Sequence, residues 1–142
     1  MADIVYTDTD VLRYGNGGVY RTVQYGEAIT AGQAVYESTT DQKFYKADAT
    51  DPLKPANTTQ LAIAVTTGAV DQQGVVARAN AQLDFGANVL TPAEVYVVSS
   101  ASPGGIAPVA DLAVGSDLSI IGYALNDQVL NFSMNVTNVA KV

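Results

Sequence analysis

The sequence predicts an all-β fold: a small antiparallel β-barrel or sandwich built from two similar halves, preceded by an N-terminal arm. Three observations lead there. One phrase occurs twice, as Ile29-Thr30-Ala31-Gly32-Gln33-Ala34-Val35-Tyr36 and as Leu90-Thr91-Pro92-Ala93-Glu94-Val95-Tyr96-Val97, 61 residues apart. Apolar residues alternate with polar ones over long stretches, the period of a strand with one wet face. Turn-forming residues punctuate those stretches at short intervals. A duplicated β unit points to a scaffold made of two related halves.

Taken in chain order, residues 1–25 read as an arm or edge segment. They carry four of the eight tyrosines (Tyr6, Tyr14, Tyr20, Tyr25) together with Arg13, Arg21, Asp3, Asp8 and Asp10. Tyr and Arg join a large contact area to a polar handle, and both are enriched in interface hot spots. Tyr6, Arg13, Tyr14, Tyr20 and Arg21 are therefore the candidate contacts to a partner or to a neighbouring protomer. The plainer alternative is that the tyrosines pack on an edge strand. On the interface reading, residues 1–13 can be removed and leave the β domain folded.

Residues 26–142 read as a single β domain containing the repeat at 29–36 and 90–97. The strand in each copy is expected to enter the same core, with Val35 and Val95 pointing inward. A second echo pairs Ala62-Ile63-Ala64-Val65 with Ile120-Ile121-Gly122-Tyr123, 58 residues apart. Val75, Ala77, Ala79, Ala81, Leu83 and Phe85 alternate with Arg78, Asn80, Gln82 and Asp84, which predicts one strand over 75–85. Leu130, Phe132, Met134 and Val136 alternate with Asn131, Ser133, Asn135 and Thr137, which predicts the last strand. Residues 19–25 form a further candidate. Residues 47–60 are polar, contain Pro52 and Pro55, and read as a long surface loop. No amphipathic helix is found.

Composition narrows the chemistry. The chain of 142 residues fits one domain and can bury a core without staples. It has no cysteine, histidine or tryptophan. Disulfides, thiolate metal sites, the commonest general base and the strongest stacking platform are all unavailable. The formal net charge is −7, and residues 79–140 hold five acids and no base. Such a field repels nucleic acid and anionic membrane. The start of the chain does not resemble a signal peptide, and no apolar run approaches the ~18 residues of a membrane span.

Individual motifs favour structure over catalysis. Gly15-Asn16-Gly17-Gly18 lacks the third glycine of a dinucleotide fingerprint and the Gly-Lys-Ser/Thr of a P-loop, so a tight turn is expected. Asp8-Thr9-Asp10 lacks the partners of an EF-hand loop, and Asp41, Asp48 and Asp51 have no ligand spacing. A Ser-His-Asp triad is impossible without His. A pair of carboxylates could in principle hydrolyse a glycoside, but nothing singles out two of the fourteen acids. No catalytic residue, metal ligand, cofactor or small-molecule substrate is expected.

The repeated phrase also carries a family resemblance. Gly26-Glu27-Ala28-Ile29-Thr30-Ala31-Gly32-Gln33-Ala34-Val35-Tyr36, then Tyr45-Lys46-Ala47-Asp48, Leu61-Ala62-Ile63-Ala64-Val65 and Leu90 to Val97 resemble the decoration, or capsid cement, proteins of tailed-bacteriophage heads. The likeness runs from about Gly26 to the C-terminus, and Leu61-Ala62 stands where the family has Gly before Ile-Ala. It implies a β domain on the outer surface of a virion, made in the host cytoplasm. Its partners would be the major capsid protein and itself as a homotrimer, with no nucleic acid and no membrane. Many copies across subunit seams would resist the pressure of packaged DNA. The competing readings are a carbohydrate-binding β module of a phage fibre or surface protein, which lacks a Trp platform, and a carboxylate hydrolase.

Overall fold

The computed structural model describes residues 3–15, 17–50 and 61–142. The strands are β1 Leu12–Arg13, β2 Val19–Gln24, β3 Ala34–Glu37, β4 Phe44–Lys46, β5 Leu61–Ala64, β6 Gln73–Ala79, β7 Gln82–Asp84, β8 Val95–Val98, β9 Ile106–Pro108, β10 Asp117–Ala124 and β11 Val129–Ala140. Two short 3₁₀ turns, Asp8–Asp10 and Val109–Asp111, are the helical elements among the described residues. The strands form two antiparallel sheets, β2-β6-β5-β3-β4 and β1-β7-β11-β10-β8-β9. The fold is an all-β sandwich.

The two sheets share one wiring plan. Setting β1 aside, each strand of the first sheet has its counterpart five strands later, in the same order. The repeated phrase forms the same turn in both halves. Gln33 N donates to Thr30 O, and Glu94 N to Thr91 O, both at 3.1 Å. Gly32 N donates to Ala64 O (2.7 Å) and Ala93 N to Ala124 O (2.9 Å). Gly32 and Ala93 both hold positive φ, 92° and 65°. Similar local sequence has produced the same hydrogen-bonded corner twice.

Three sequence expectations need correction. Val35 is opposite Ala62 and Tyr96 is opposite Gly122, so Ala62 corresponds to Gly122 and not to Ile120. A register shift between Ile120 and Gly122 adds one residue to β10 relative to β5, which accounts for part of the misalignment. The run 75–85 is two strands, because Asn80 adopts φ 53° and carries the chain from one sheet to the other. Asn tolerates that conformation better than most residues. Finally, Val95 is the counterpart of Ala34, one residue out of phase with Val35. Strand phase alone does not account for its exposure, since Ala34 itself is buried. Val35 is buried, whereas Val95 is half-buried and lines a shallow groove with Ile120, Gly122, Tyr123 and Ser133.

Two cores result. The larger joins the sheets, with Ala34, Tyr36, Leu61 and Ile63 meeting Leu83, Tyr96, Val97, Ile121, Leu130 and Phe132. The smaller holds Val35, Val23, Tyr25, Ile29, Phe44, Ala62, Ala64 and Val76. It exists because the five-stranded sheet curls until its edges touch. Tyr25 bridges Phe44, and Gly26 N donates to Phe44 O at 2.9 Å. This is one bridge and not a ladder, so the barrel stays unclosed. Gly74 lets the Tyr25 ring into this core, since a Cβ there would lie 2.3 Å from the ring. At the chain's other end, Lys141 Nζ donates to the carbonyls of Val109 (3.2 Å), Ala110 (3.2 Å) and Leu112 (2.6 Å).

The duplicated corner makes a paired prediction. An L-residue in the left-handed region costs about 1–2 kcal/mol, partly offset by the lower unfolded-state entropy it brings. Ala93→Gly is therefore expected to stabilise by ~0.5–1 kcal/mol. Gly32→Ala is expected to destabilise by more than that, because its Cβ would also lie 2.6 Å from the Tyr6 ring. Denaturant midpoints of the two variants check both signs.

Candidate interaction surface

The N-terminal segment is stitched across both halves. The Asp3 carboxylate accepts from Ser99 Oγ and from Ser102 Oγ (2.6 Å). Ile4 N donates to Ile106 O at 2.8 Å, which adds a short extended piece beside β9. Ile4 and Tyr6 pack on the large core while Val5 between them is 87% exposed, the alternation of a strand. The Tyr6 ring meets Phe85 edge-on, with centroids 5.2 Å apart, and covers Gly32. Thr67 Oγ1 donates to Asp8 Oδ2 (3.2 Å) and accepts from Ala31 N (3.0 Å). Val11 is buried in the large core. Removing this segment would therefore open the core, contrary to the expectation of a dispensable arm.

Beyond Val11 the chain forms an edge of each sheet in turn. β1 pairs with β7 through Leu12↔Asp84 and Arg13↔Leu83, and Tyr14 N donates to Gln82 O at 2.8 Å. The glycine-rich turn follows, with Asn16 outside the described residues, and Gly18 lies against Ala81 where a Cβ would stand 2.7 Å from its Cα. β2 then pairs along β6. The expected surface loop at 47–60 lies outside the described residues from 51 on.

The five candidate contacts part company here. Tyr6 faces inward. The Arg13 guanidinium sits 3.8 Å from the centroid of the Tyr20 ring, a cation–π contact worth ~0.5–1 kcal/mol at an exposed site. The Tyr20 hydroxyl is buried without a hydrogen-bond partner. Arg21 pairs with Glu37 at 3.3 Å and stands 5.9 Å from the Phe44 ring centroid. Arg78 lies close enough that burial first, then Arg21, lowers its pKa. Tyr14 alone of the five is an exposed aromatic.

Apolar exposure marks the same stretch of chain with residues that composition did not single out. Among the described residues nine large apolar side chains are exposed, and four lie between residues 5 and 19: Val5, Leu12 (60%), Tyr14 (48%) and Val19 (54%). Leu12, Tyr14 and Val19, chain neighbours of the stacked Arg13 and Tyr20, define the candidate surface, and Val5 lies apart from them beside β9. The Ile4-Val5-Tyr6 alternation could have found Val5. Nothing local distinguishes Leu12 or Val19 from core residues, because their exposure follows from being on edge strands.

Chemically the surface suits docking. Among the described residues no group of three carboxylates is placed to hold a metal ion. Asp41 is engaged by Tyr45 (2.6 Å) and Asp48 caps Thr50. The other depressions are shallow, one lined by Glu37, Ser38, Thr39 and Gln42, another by Ala49, Thr50 and residues 113–117. No family model matches the chain, and no curated protein matches it.

Burial first, and Asp8 second, push the Tyr6 hydroxyl up to about 12. Tyr45 reaches about 12 chiefly through its hydrogen bond to Asp41. The folded state thus holds these protons more tightly than the unfolded chain, where tyrosine titrates near ~10. Their stabilising contribution is complete below that value and is lost as pH rises toward 12. Titration of tyrosinate absorbance should show late-ionising tyrosines in native protein that vanish in denaturant. Tyr6→Phe should remove one of them; an unchanged native curve would contradict the packing described.

Proposed function

We propose that the protein is a structural decoration protein of a tailed-bacteriophage head, binding the outer capsid surface and bridging coat subunits. The observation that carries this reading is the N-terminal edge, where Leu12, Tyr14 and Val19 are exposed and their chain neighbours Arg13 and Tyr20 stack on one another. Aromatic and arginine side chains amid apolar ones have the composition of an interface core. The resemblance of residues 26–36, 61–65 and 90–97 to capsid cement proteins supplies the identity of the partner. A doubly cored β sandwich that presents shallow depressions suits a clamp better than a catalyst. Assembly as a trimer would match threefold positions on a head and make attachment multivalent.

Mixing the protein with expanded empty heads of its cognate coat protein tests this directly. Saturable, stoichiometric co-sedimentation is expected. Tyr14→Ala and Arg13→Ala should each weaken binding, by about 2 kcal/mol if they are hot spots, roughly 30-fold per contact. Neither change should lower the thermal midpoint much, since both side chains are largely exposed. Tyr6→Ala should behave oppositely and act on stability first. Absence of co-sedimentation together with saturable binding on a glycan array would replace this reading with a carbohydrate-binding module.

A further inference from the structure

The two halves differ in how their last edge strand is covered. In the first half the carbonyl of Phe44, the first residue of β4, accepts from Gly26 N at 2.9 Å. That donor comes from chain running straight out of β2. In the second half Ile106 opens β9, the counterpart of β4, and its carbonyl accepts from Ile4 N at 2.8 Å. The chain leaving β7 goes elsewhere: Phe85 N donates to Gln128 O at 2.8 Å. The second unit thus takes its closing strand from the far end of the molecule.

β9 and its flanking loop form a shaped receptor for that strand. The Asp3 carboxylate is gripped by Ser99 Oγ and Ser102 Oγ. Gly105 provides the space, since a Cβ there would lie 2.3 Å from Asp3 Oδ2. The Tyr6 ring fills the gap between Gly32 and Phe85. Between this inserted strand and the buried Val11 that precedes β1 lie Thr7 and the 3₁₀ turn Asp8–Asp10, which buries no residue and sets two aspartates in a single turn.

We propose that residues 3–6 are an exchangeable closing strand, and that in the oligomer each chain inserts them beside β9 of a neighbouring copy, with residues 7–10 as the hinge. Exchange remakes the receptor contacts in trans and gives up only the compact turn and the Thr67–Asp8 hydrogen bond, which is why such swaps are a low-cost route to assembly. Donation from each copy to the next closes a ring. The partner is a second copy of this chain, and the inference does not depend on the capsid reading.

The absence of cysteine permits a clean test. Gly105 carries no positive φ, and its Cβ would lie 2.9 Å from Asp3 Cγ, so cysteines at these two positions fall within bridging reach. Asp3→Cys and Gly105→Cys are made in separate chains, mixed, unfolded and refolded together, and then oxidised. Covalent heterodimers on a non-reducing gel, well above the homodimers of either variant alone, are expected. In the double variant, oxidation should yield covalent rings; a product that stays monomeric, with no heterodimer in the mixture, overturns the proposal. A second variant guards against misfolding at these sites. Inserting Gly-Ser-Gly between Thr9 and Asp10 lengthens the hinge and should shift sedimentation from oligomer toward monomer. An oligomer unaffected by that insertion, or wild-type protein that is monomeric at every concentration, equally overturns it.

Discussion

Burial shared between the sheets is the constraint on which the other features rest. Ala34, Tyr36, Leu61 and Ile63 can leave water only because Tyr96, Ile121, Leu130 and Phe132 come from the opposite side to meet them. Burying one such large side chain is worth about 1.5–3 kcal/mol, so the interface between sheets dominates the folding free energy. Neither half has a comparable core of its own. The smaller cluster around Tyr25, Phe44 and Val35 belongs to the curled first sheet and cannot substitute for it.

That dependence explains why the N-terminal segment lies where it does. Two sheets of similar wiring leave an open margin where the second one fails to close on itself. Ile4, Tyr6 and Val11 fill that margin with apolar surface, and Asp3 and Asp8 satisfy hydroxyls at each end. The same chain then runs out as β1 and β2, the edges of both sheets. Core filling and surface presentation are thus performed by one continuous stretch: Tyr6 turns in, and Leu12, Tyr14 and Val19 turn out. An interaction surface built on such edges is fixed rigidly to the core, so a partner meets it with little ordering cost.

Charge is distributed to suit the division. Bases are concentrated in the first half, where Arg21 finds Glu37 and Lys43 finds Asp71 at 2.7 Å. The second half has almost none, and its one lysine is spent on three backbone carbonyls at a 3₁₀ turn. Each ion pair has one well-exposed member, Arg21 or Asp71, so both order the surface more than they stabilise the fold. The Arg13–Tyr20 contact leaves an exposed guanidinium over an aromatic face at the candidate edge, where a carboxylate from outside can reach it.

By itself, the sequence determined what depends on neighbours along the chain. The alternation of Leu130, Phe132 and Met134 with polar residues made a strand. The Thr30-Ala31-Gly32-Gln33 and Thr91-Pro92-Ala93-Glu94 corners made the same turn twice, because each is closed by a hydrogen bond within four residues. The clustering of Tyr and Arg in residues 1–25 marked a segment whose side chains the fold divides between core and solvent. Tertiary structure decided what depends on partners far away. Whether Val35 or Val95 is buried, where Asn80 passes between sheets, and how far β10 slips against β8 were set by packing and by a bulge, since a one-residue shift reverses every side chain. Tyr6 and Tyr14 illustrate the limit most directly. They share a residue type and a segment, yet one fills the seam and the other faces solvent, because only the folded sheets define which side of that segment has anything to cover.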